Sequence, residues 1–399
     1  MTQTAVRICE AENAAAATRR ARLRRLTLSD FRSYQNADIN LDGRCVAFVG
    51  PNGAGKTNIL EAISLMGSGR GLRGARLEDL PRIGGPGGWA VSLRLEDGED
   101  ELRLGVGASQ SAPDRRTCRI DGRAATGPSA FARHLRFLWL TPAQDRLFAD
   151  GAAERRRFVD RMALAQDAAH AGARSAFEHA MRQRQRLLED GGRDSAWLTA
   201  LEAQMAESGV ALAAARRETA ARLAAEEVTG DDGLFPAADI ALEGDLESAL
   251  ERAPAAAVEE DYAARLKRQR RADAEAGRAL VGPHRSDLLV VDRAKGRPAR
   301  LCSTGEQKAL LIGLVLANAR ALARRARIGA ADAAPLVLLF DEIAAHLDPD
   351  RRGRLFDILD ELGFQVFMTG TDKALFSAWG DRAQMFEVAA GSVVETNLE

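Results

Sequence analysis

Two short segments far apart in the sequence constrain this chain of 399 residues more than any other feature. The first, residues 50–57, reads GPNGAGKT and matches the pattern G-x-x-x-x-G-K-[ST] without a mismatch. The second, residues 302–308, reads CSTGEQK and is followed by the apolar run 336–340 and by Asp341 and Glu342. The first segment alone indicates a nucleotide site. Together, the two segments predict an ATPase head that closes on a second head.

Residues 50–57 lie where a phosphate-binding loop is expected, between a strand and a helix. The run 45–49 is short and apolar, and from Thr57 to Met66 apolar side chains recur at helical spacing. Backbone N–H groups of such a loop can surround a β-phosphate, and the helix N-terminus favours negative charge. Lys56 is expected to reach the β- and γ-phosphate oxygens, and Thr57 to offer its hydroxyl to Mg²⁺. A glycine turn that matches by chance is the alternative, which the flanking strand and helix disfavour.

An acidic pair follows the apolar strand predicted at residues 336–340. A carboxylate at the end of a buried strand beside a phosphate loop can hold Mg²⁺ through water, and the next carboxylate can act as a general base. We therefore expect Asp341 to hold the metal and Glu342 to polarise the attacking water. Apolar strands often end in an acid without any catalytic role, so it is the order of the motifs along the chain that favours catalysis.

Ser303 and Gly305 precede a helix predicted from Ala309 to Ala321. The serine and the first amides of that helix form a site suited to an anion. In folds of this kind the helix does not easily reach the phosphate bound by its own chain, so the expected ligand is the γ-phosphate of a second subunit. The alternative is an ordinary helix N-cap, because serine and threonine are common there.

The expected site residues combine these segments. Catalytic roles are expected for Glu342 and Lys56, and metal binding for Thr57 and Asp341. The residues expected to bind nucleotide are Gly50, Pro51, Asn52, Gly53, Ala54, Gly55, Lys56, Thr57, Asn58, Ser303, Gly305 and Asp348.

The composition fits a globular protein without a metal framework. Hydrophobic residues make up 46% of the chain and charged residues 28%, and we find no apolar run long enough to cross a membrane. Residues 11–25 lack the apolar centre of a signal peptide, so we expect a cytoplasmic location. The four cysteines and five histidines are scattered, which argues against a zinc site. Because the net charge is −1, any nucleic-acid surface is a local patch.

The order of predicted elements indicates a mixed α/β head that is split in the sequence. We expect a flexible tail at residues 1–21, the first half of the head at 22–150, a mainly helical inserted domain at 151–281 and the second half of the head at 282–399. Residues 89–95 and 100–106 alternate apolar and polar around a turn, which predicts a hairpin. The helical stretch is interrupted at Gly191-Gly192, which predicts a short helical hairpin.

The ordered set of motifs resembles ABC-type P-loop ATPase heads of the chromosome-maintenance branch. Within that branch the chain is similar to the RecF family of bacterial recombination mediators, from about residue 22 onward. The segments that carry the resemblance are 28–34 (LSDFRSY), 50–63 (GPNGAGKTNILEAI), 69–73 (GRGLR), 154–161 (ERRRFVDR), 282–287 (GPHRSD), 302–308 (CSTGEQK) and 344–348 (AAHLD).

The resemblance implies an ATP-dependent homodimer that binds Mg²⁺-ATP and DNA. Similar proteins act at gaps and at junctions of double- and single-stranded DNA, with RecO and RecR, and help to load the recombinase RecA on single strands. Their ATPase activity is weak and controls DNA association. Asp348 is expected at the dimer interface, beside Ser303 and Gly305.

The sequence departs from the family pattern at a few positions. Thr304 replaces the usual second glycine of the signature segment, and Glu306 replaces its usual glutamine. The histidine expected after the last core strand is absent, and the segment 369–371 (TGT) stands there. A threonine can still bond a γ-phosphate, but we expect weakly activated hydrolysis. Gln144 is a candidate for the family's glutamine loop, with a solvated loop residue as the alternative, and the role of His284 is open.

Three basic clusters are candidates for the DNA surface: residues 19–25, 265–271 and 293–300. Flexible cations on one face suit phosphate contacts, which carry no sequence information. Solvated helix faces are the alternative for each cluster. Aromatic residues make up only 5% of the chain and do not alternate with the basic residues, so base stacking is not indicated.

Other ATPase classes share parts of this pattern. The main alternative is an ABC-type coupling subunit that acts on another protein or a membrane partner, but in such subunits the signature lies much closer to the phosphate loop than the 246 residues that separate Thr57 from Ser303. A long-armed chromosome tether needs hundreds of heptad residues between the motifs. A nuclease-linked ATPase needs an additional acid-rich metal site, which we do not expect here.

Overall fold

The computed structural model describes residues 21–98, 100–192, 194–227, 234–327 and 334–397. The chain divides into two compact units, one formed by the residues up to Gln144 and from Leu322 onward, and the other by Asp145–Ala321. The tail expected at residues 1–21 lies outside the described residues except for its last position.

The strands and helices follow one another in mixed order along the chain. The strands are β1 (Arg22–Phe31), β2 (Tyr34–Asn40), β3 (Cys45–Val49), β4 (Trp89–Asp97), β5 (Asp100–Ser109), β6 (Ala112–Ile120), β7 (Arg123–Ala125), β8 (Arg136–Leu140), β9 (Ala238–Glu243), β10 (Asp287–Asp292), β11 (Arg297–Pro298), β12 (Leu336–Phe340), β13 (Gln365–Gly370), β14 (Ala383–Ala389) and β15 (Ser392–Thr396). The α-helices are α1 (Lys56–Ser64), α2 (Ala152–Gln166), α3 (Ala169–Glu189), α4 (Ser195–Glu227), α5 (Asp245–Ala249), α6 (Ala255–Arg268), α7 (Arg270–Ala276), α8 (Thr304–Arg327) and α9 (Pro349–Leu362).

An antiparallel sheet of six strands, in the order β2-β1-β4-β5-β6-β7, belongs to the first unit. Apolar side chains alternate along these strands, so that one face joins the hydrophobic core and the other faces solvent. The hairpin predicted from the alternation at residues 89–106 is confirmed, because β4 and β5 pair from Trp89 opposite Ala108 to Asp97 opposite Asp100.

The second six-stranded sheet of this unit has the order β15-β14-β3-β13-β12-β8 and is parallel except for β15. All residues of β3, β12 and β13 are buried, as expected for parallel strands that are covered on both faces. Because these three strands are neighbours and parallel, their carboxyl ends meet at one edge of the sheet. Ligands of open parallel sheets bind at this kind of edge.

The second unit is built around helices and a small sheet. Helices α3 and α4 form the predicted helical hairpin, with Gly191 and Gly192 both at positive φ between them. Their core includes Phe177, Met205 and Tyr262. Strands β9, β10 and β11 make an antiparallel sheet, in which β10 pairs with β9 along its whole length.

The boundaries of the two units differ from those expected from the sequence. Residues 282–321, expected in the second half of the head, group with the inserted helices. The physical reason is local pairing: β10 is bonded to β9, and the buried Asn318 of α8 accepts a hydrogen bond from Gln166 of α2. In the part of the chain that the structure describes, no helix is both long and apolar enough to span a membrane.

Candidate nucleotide site

The phosphate loop connects the end of β3 to the start of α1, as the sequence predicts. Glycine is required at two of its positions by close contacts as well as by positive φ. A Cβ on Gly50 (φ +153°) would lie 2.2 Å from the Val388 carbonyl oxygen, and one on Gly55 (φ +108°) would lie 2.6 Å from the Ser33 Oγ. The loop is therefore held tightly by its surroundings, which keeps its backbone shape fixed.

Lys56 is folded back across this loop. Its side chain is buried, and its Nζ donates hydrogen bonds to the carbonyl oxygens of Gly50 (2.8 Å) and Pro51 (2.9 Å). Burial lowers the pKa of the Lys56 ammonium group, while the charges of Glu342 and Asp341 act in the opposite direction. The lysine thus sits between the loop and the two acids that follow β12.

Thr57 and Asp341 are in direct contact although 284 positions separate them in the sequence. The Thr57 hydroxyl lies 2.9 Å from Asp341 Oδ1 and 3.1 Å from Oδ2, and it donates its single proton to this carboxylate. Asp341 also accepts a hydrogen bond of 2.7 Å from the Thr369 hydroxyl. The side chain of Asp341 is therefore fixed from both sides at the carboxyl end of β12.

Glu342 adopts a left-handed backbone conformation, with φ of +57°. This region is unusual for a residue other than glycine and costs roughly 1–3 kcal/mol. Its N–H donates to the Thr369 Oγ1 at 2.9 Å, which helps to hold that conformation. Thr369 is fully buried in β13, between β3 and β12, so that one hydroxyl connects both acids.

Sequence reasoning assigned no role to a second group of residues beside the loop. Glu61 of α1 is fully buried, forms a bidentate pair with Arg32 (2.8 and 2.9 Å) and contacts Arg73 at 3.2 Å. Arg73 also donates to Asn58 Oδ1 at 2.7 Å, and the Tyr34 hydroxyl donates to the Gly55 carbonyl at 3.0 Å. These contacts tie the start of α1 to the segments 28–34 and 69–73. The resemblance had singled out both segments, but only the fold shows what they contact.

Ser303 begins α8 in the second unit as an ordinary helix cap, the alternative considered from the sequence. Its N–H donates to Glu306 Oε2 at 2.7 Å, and its Oγ lies 3.4 Å from the Glu306 N–H, which is a reciprocal capping box. Ion pairing with Lys295, together with the Ser303 N–H, lowers the pKa of Glu306 to about 2. The capping box gives a physical reason for glutamate at position 306. Ser303 and Gly305 remain exposed.

Lys308, one turn further along α8, is buried and pairs with Asp145 Oδ2 at 3.0 Å. Gln144, the residue before Asp145, belongs to the first unit and accepts a hydrogen bond of 3.1 Å from the Thr141 N–H. Its Nε2 is buried without a partner among the described residues. The structure thus shows a glutamine folded on its own loop with unused donor capacity.

Two further candidates have structural contacts. Asp348 is the N-cap of α9 and accepts a hydrogen bond of 2.9 Å from the Arg351 N–H. His284 packs against Phe177 at a ring-centroid distance of 5.8 Å, and its Nε2 lies 2.9 Å from the Ala279 carbonyl oxygen. Burial lowers the pKa of His284. His284 therefore belongs to the packing of the helical unit.

The basic clusters predicted as DNA surfaces are largely occupied by intramolecular ion pairs. Arg24 pairs with Glu96, Arg25 with Asp38, Arg265 with Asp245, Arg268 with Asp261, Arg270 with Glu202, Arg271 with Glu275 and Arg293 with Asp239. Residues 19 and 20 of the first cluster lie outside the described residues. These pairs favour the alternative of solvated, ion-paired faces, although exposed pairs remain available to other anions.

The first unit thus brings Lys56, Thr57, Asp341 and Glu342 together, whereas Ser303 and Gly305 belong to the second unit. In the described part of the chain, no group of three or more His, Cys, Asp or Glu side chains is arranged to hold a metal ion. A divalent ion at this site would therefore depend on the Thr57 hydroxyl, on Asp341, on water and on the phosphates themselves.

Comparison with known proteins identifies the family. The RecF/RecN/SMC N-terminal domain matches residues 22–393. The DNA replication and repair protein RecF of Rhizobium leguminosarum bv. trifolii is 48% identical over 375 residues, covering 94% of this chain and 98% of the relative. RecF of Mesorhizobium japonicum is 51% identical over 375 residues, covering 93% and 97%. The chain belongs to the RecF family.

The structural comparisons agree with this RecF-family assignment. A solved structure of the recombination mediator protein RecF with ATP has a TM-score of 0.77 at 20% identity, covering 94% of this chain and 99% of that one. The Smc head domain of Pyrococcus furiosus has a TM-score of 0.52 at 18% identity, covering 95% and 96%. The expected fold, an α/β ABC-type ATPase head related to chromosome-maintenance proteins, is confirmed.

Proposed function

We propose that this RecF-family chain binds Mg²⁺-ATP at the phosphate loop and acts in DNA repair and recombination as an ATP-controlled, DNA-binding dimer. The observation that carries the proposal is the contact chain from Thr57 through Asp341 and Thr369 to the Glu342 N–H. This chain connects the phosphate loop to both acids, as a nucleotide-hydrolysing site requires. The RecF structures with ATP, which share the fold, support the choice of nucleotide.

The residues present fit a magnesium ion. Because Thr57 gives its proton to Asp341, the lone pairs of its oxygen are left for a metal. Asp341 would hold the ion through water, and the ion would neutralise charge on the β- and γ-phosphates. Lys56 would exchange its bonds to the Gly50 and Pro51 carbonyls for phosphate oxygens, which offer a full negative charge.

Glu342 is the proposed general base for the attacking water. The strained backbone of Glu342 is held by its hydrogen bond to Thr369. This bond fixes the direction in which the Glu342 side chain leaves the backbone relative to Asp341. The Thr369 hydroxyl is committed to Asp341 and is not free to donate to a γ-phosphate. This supports weak ATP hydrolysis, as the missing histidine suggested, and the dependence of that hydrolysis on DNA is proposed from the family resemblance alone.

Dimerisation on ATP is proposed to place Ser303 and Gly305 of one subunit on the γ-phosphate of the other, with Asp348 at the same interface. Gly305 supports this arrangement. It has no positive φ, and a Cβ there would meet nothing within 4 Å, so nothing in the described chain requires glycine at this position. A close approach by another molecule is the usual reason for such a glycine.

The proposed partners follow from the relatives. RecF is described as a recombination mediator of the RecFOR pathway, so we propose that the dimer binds gapped, junction and duplex DNA and helps RecO and RecR to load RecA on single strands. No observation on the described residues favours the alternative of a coupling subunit for a membrane partner.

The test is DNA binding by the wild type and by Lys56→Met, with gapped duplex, plain duplex and single-stranded probes, with and without Mg²⁺-ATP, at two salt concentrations. Loss of the charged hydrogen bonds of Lys56 is expected to weaken ATP binding about 10- to 100-fold and to abolish its effect on DNA affinity. Lys373→Met, which removes a lysine that pairs with Glu387 and Thr396, is the control. Absence of DNA binding by the wild type under every condition would contradict the proposal.

A further inference from the structure

Four arginines form a row across the solvent face of the antiparallel sheet. We call Arg25, Arg94, Arg103 and Arg119 the arginine row. Arg25 of β1 lies directly opposite Arg94 of β4, and Arg94 lies directly opposite Arg103 of β5. Arg119 of β6 lies opposite Gly105, which is two residues from Arg103 on the same face. The row therefore crosses four neighbouring strands, which are spaced about 4.8 Å apart.

Fold stability does not explain this row, because like charges directly opposite each other in a sheet are destabilising. Arg25 and Arg94 have counter-charges in Asp38 and Glu101. The two arginines of β5 and β6 do not: Arg103 donates to the Ser92 Oγ at 3.1 Å and Arg119 to the Gly122 carbonyl at 2.9 Å. Within the ranges that the structure describes, neither of these two guanidinium groups pairs with a carboxylate. This end of the row offers two exposed cations to an anion.

Gly105 lies between these two arginines, and the fold does not require glycine there. Its φ is not positive, and a Cβ would be 3.9 Å from Arg119 Cβ and 4.0 Å from the Val91 carbonyl oxygen, which are ordinary contacts. Gly107, two residues further, is different, because its Cβ would be 2.5 Å from the Trp89 carbonyl oxygen. A glycine inside a strand costs about 0.5–1 kcal/mol relative to alanine and often marks close approach by a ligand.

This face also carries the carboxylates of Asp38, Glu96 and Glu101, and the positions nearest the arginines are otherwise small or hydroxylated. Thr27, Ser92 and Thr117 occupy the positions that flank the arginines, and Ala90 lies further along β4. Arginines, hydroxyl groups and exposed backbone are the groups that contact phosphates in protein–DNA complexes. The described strands expose no aromatic side chain on this face, so it lacks the stacking platforms on which single-stranded bases bind. The chemistry therefore matches a duplex backbone.

We propose that the arginine row, together with the surface left uncovered by a side chain at Gly105, binds the phosphate backbone of duplex DNA. This inference rests on the proposed DNA-binding function and assigns it a surface. The surface differs from the three basic clusters expected from the sequence, with Arg25 as its only shared residue. Since it contacts phosphates alone, binding is independent of base sequence and strongly dependent on salt.

The experiment measures the affinity of the full chain for a fluorescent duplex of mixed sequence and for one of its single strands, across a salt series with Mg²⁺-ATP present. Arg103→Gln/Arg119→Gln removes the two cations that lack a carboxylate. We expect at least about tenfold weaker duplex binding, because two charge-assisted hydrogen bonds to phosphate oxygens are lost. The slope of log K against log salt should fall in magnitude by about two, because each phosphate contact contributes roughly 0.9.

Two further variants test whether the face around Gly105 itself contacts the duplex. Gly105→Thr adds a side chain without changing charge, and it should weaken duplex binding while the melting temperature is unchanged or higher. Arg268→Gln/Arg271→Gln is the matched control, because it removes two exposed arginines from a cluster predicted by sequence. We expect that control to bind duplex as the wild type does.

The outcomes are distinguishable. Wild type that fails to bind either DNA would overturn the proposed function and this surface with it. Wild type that binds duplex, with the Arg103/Arg119 and Gly105 variants binding equally well, would overturn the surface alone. Variants that lose only single-strand binding would overturn the assignment to duplex.

Discussion

At the scale of single residues, the two acids after β12 are organised by the hydroxyl of Thr369. From the resemblance, a threonine of the segment 369–371 is expected to face a γ-phosphate. The structure shows its side chain fully buried, donating to Asp341 at 2.7 Å and accepting from the Glu342 N–H at 2.9 Å. We therefore infer that Thr369 is a positioning residue, which acts through the two carboxylates.

Replacing this hydroxyl should separate positioning from nucleotide binding. Thr369→Val keeps the shape of the side chain but removes the hydrogen bonds to Asp341 and Glu342. We expect ATP hydrolysis to fall about tenfold or more while ATP affinity changes little, and stability to fall by about 1–3 kcal/mol because the buried partners lose their bonds. The measurements are kcat against KM for ATP, and denaturant unfolding.

Thr219→Val offers a matched control, since it makes the same chemical change at a buried threonine of α4 whose hydroxyl donates to the Ala215 carbonyl oxygen. Hydrolysis that is equally affected by both substitutions, or unaffected by Thr369→Val, would contradict the positioning role.

At the scale of elements, the start of α8 combines a structural cap with residues that are proposed to contact ATP. The capping box between Ser303 and Glu306 satisfies the first amides of the helix, and Lys295 holds Glu306 in place. The helix begins at Thr304, earlier than the apolar pattern from Ala309 indicates. Because of this cap, the helix begins directly after Ser303 and includes Gly305, the two residues that the proposed dimer places on the γ-phosphate of the other subunit.

This cap should respond to acid in a defined direction. The folded-state pKa of Glu306 is lowered from 4.5 to about 2, so the charged form stabilises the helix start above the ordinary value. That stabilisation should be lost progressively as pH falls from about 4.5 through about 2. Hydrogen exchange of the first-turn amides of α8 measures it.

Glu306→Gln provides the comparison, because it keeps the shape of the side chain without the titrating proton. Its first-turn amides should be less protected at neutral pH and should show no loss over this pH window. If the first-turn amides of Glu306→Gln lost protection over the same pH range as those of the wild type, a group other than Glu306 would be responsible for that loss.

At the scale of the whole molecule, the residues proposed to bind nucleotide are distributed over both units. The phosphate loop and both acids belong to the first unit, whereas Ser303 and Gly305 belong to the second. In the proposed dimer, each ATP is held by the first unit of one subunit and the second unit of the other. ATP then acts as a ligand of the dimer, and it stabilises the dimer by mass action.

This arrangement predicts that a substitution can prevent dimerisation without preventing ATP binding. Glu342→Gln, which removes the proposed base, should form a long-lived dimer with Mg²⁺-ATP. Ser303→Arg in the same background should still bind ATP as a monomer, because the bulky cation is exposed and outside the phosphate loop. Light scattering after size-exclusion chromatography gives the mass, and Ser377→Arg is an exposed serine control.

A Ser303→Arg chain that dimerises with ATP as fully as the Ser377→Arg control would argue against the shared site. Loss of ATP binding in Ser303→Arg would instead show that Ser303 acts within its own subunit.

Local sequence patterns predict the phosphate loop, the hairpin at residues 89–106 and the helical hairpin interrupted at Gly191-Gly192. Each of these depends on a few consecutive residues: glycine positions, period-2 alternation or helical spacing. Motif order together with resemblance also indicated the ABC-type head, and the family comparison confirmed it.

The contacts between side chains that are distant in the sequence become visible only in the folded chain. Thr57 contacts Asp341 because β3, β13 and β12 are adjacent and parallel, and Thr369 lies on the strand between them. The arginine row depends on strand register, which a shift of one residue would reverse to the other face. The ion pairs that occupy the predicted basic clusters also depend on carboxylates elsewhere in the chain. Local patterns specify elements, whereas register and long-range contacts arise from packing the entire chain.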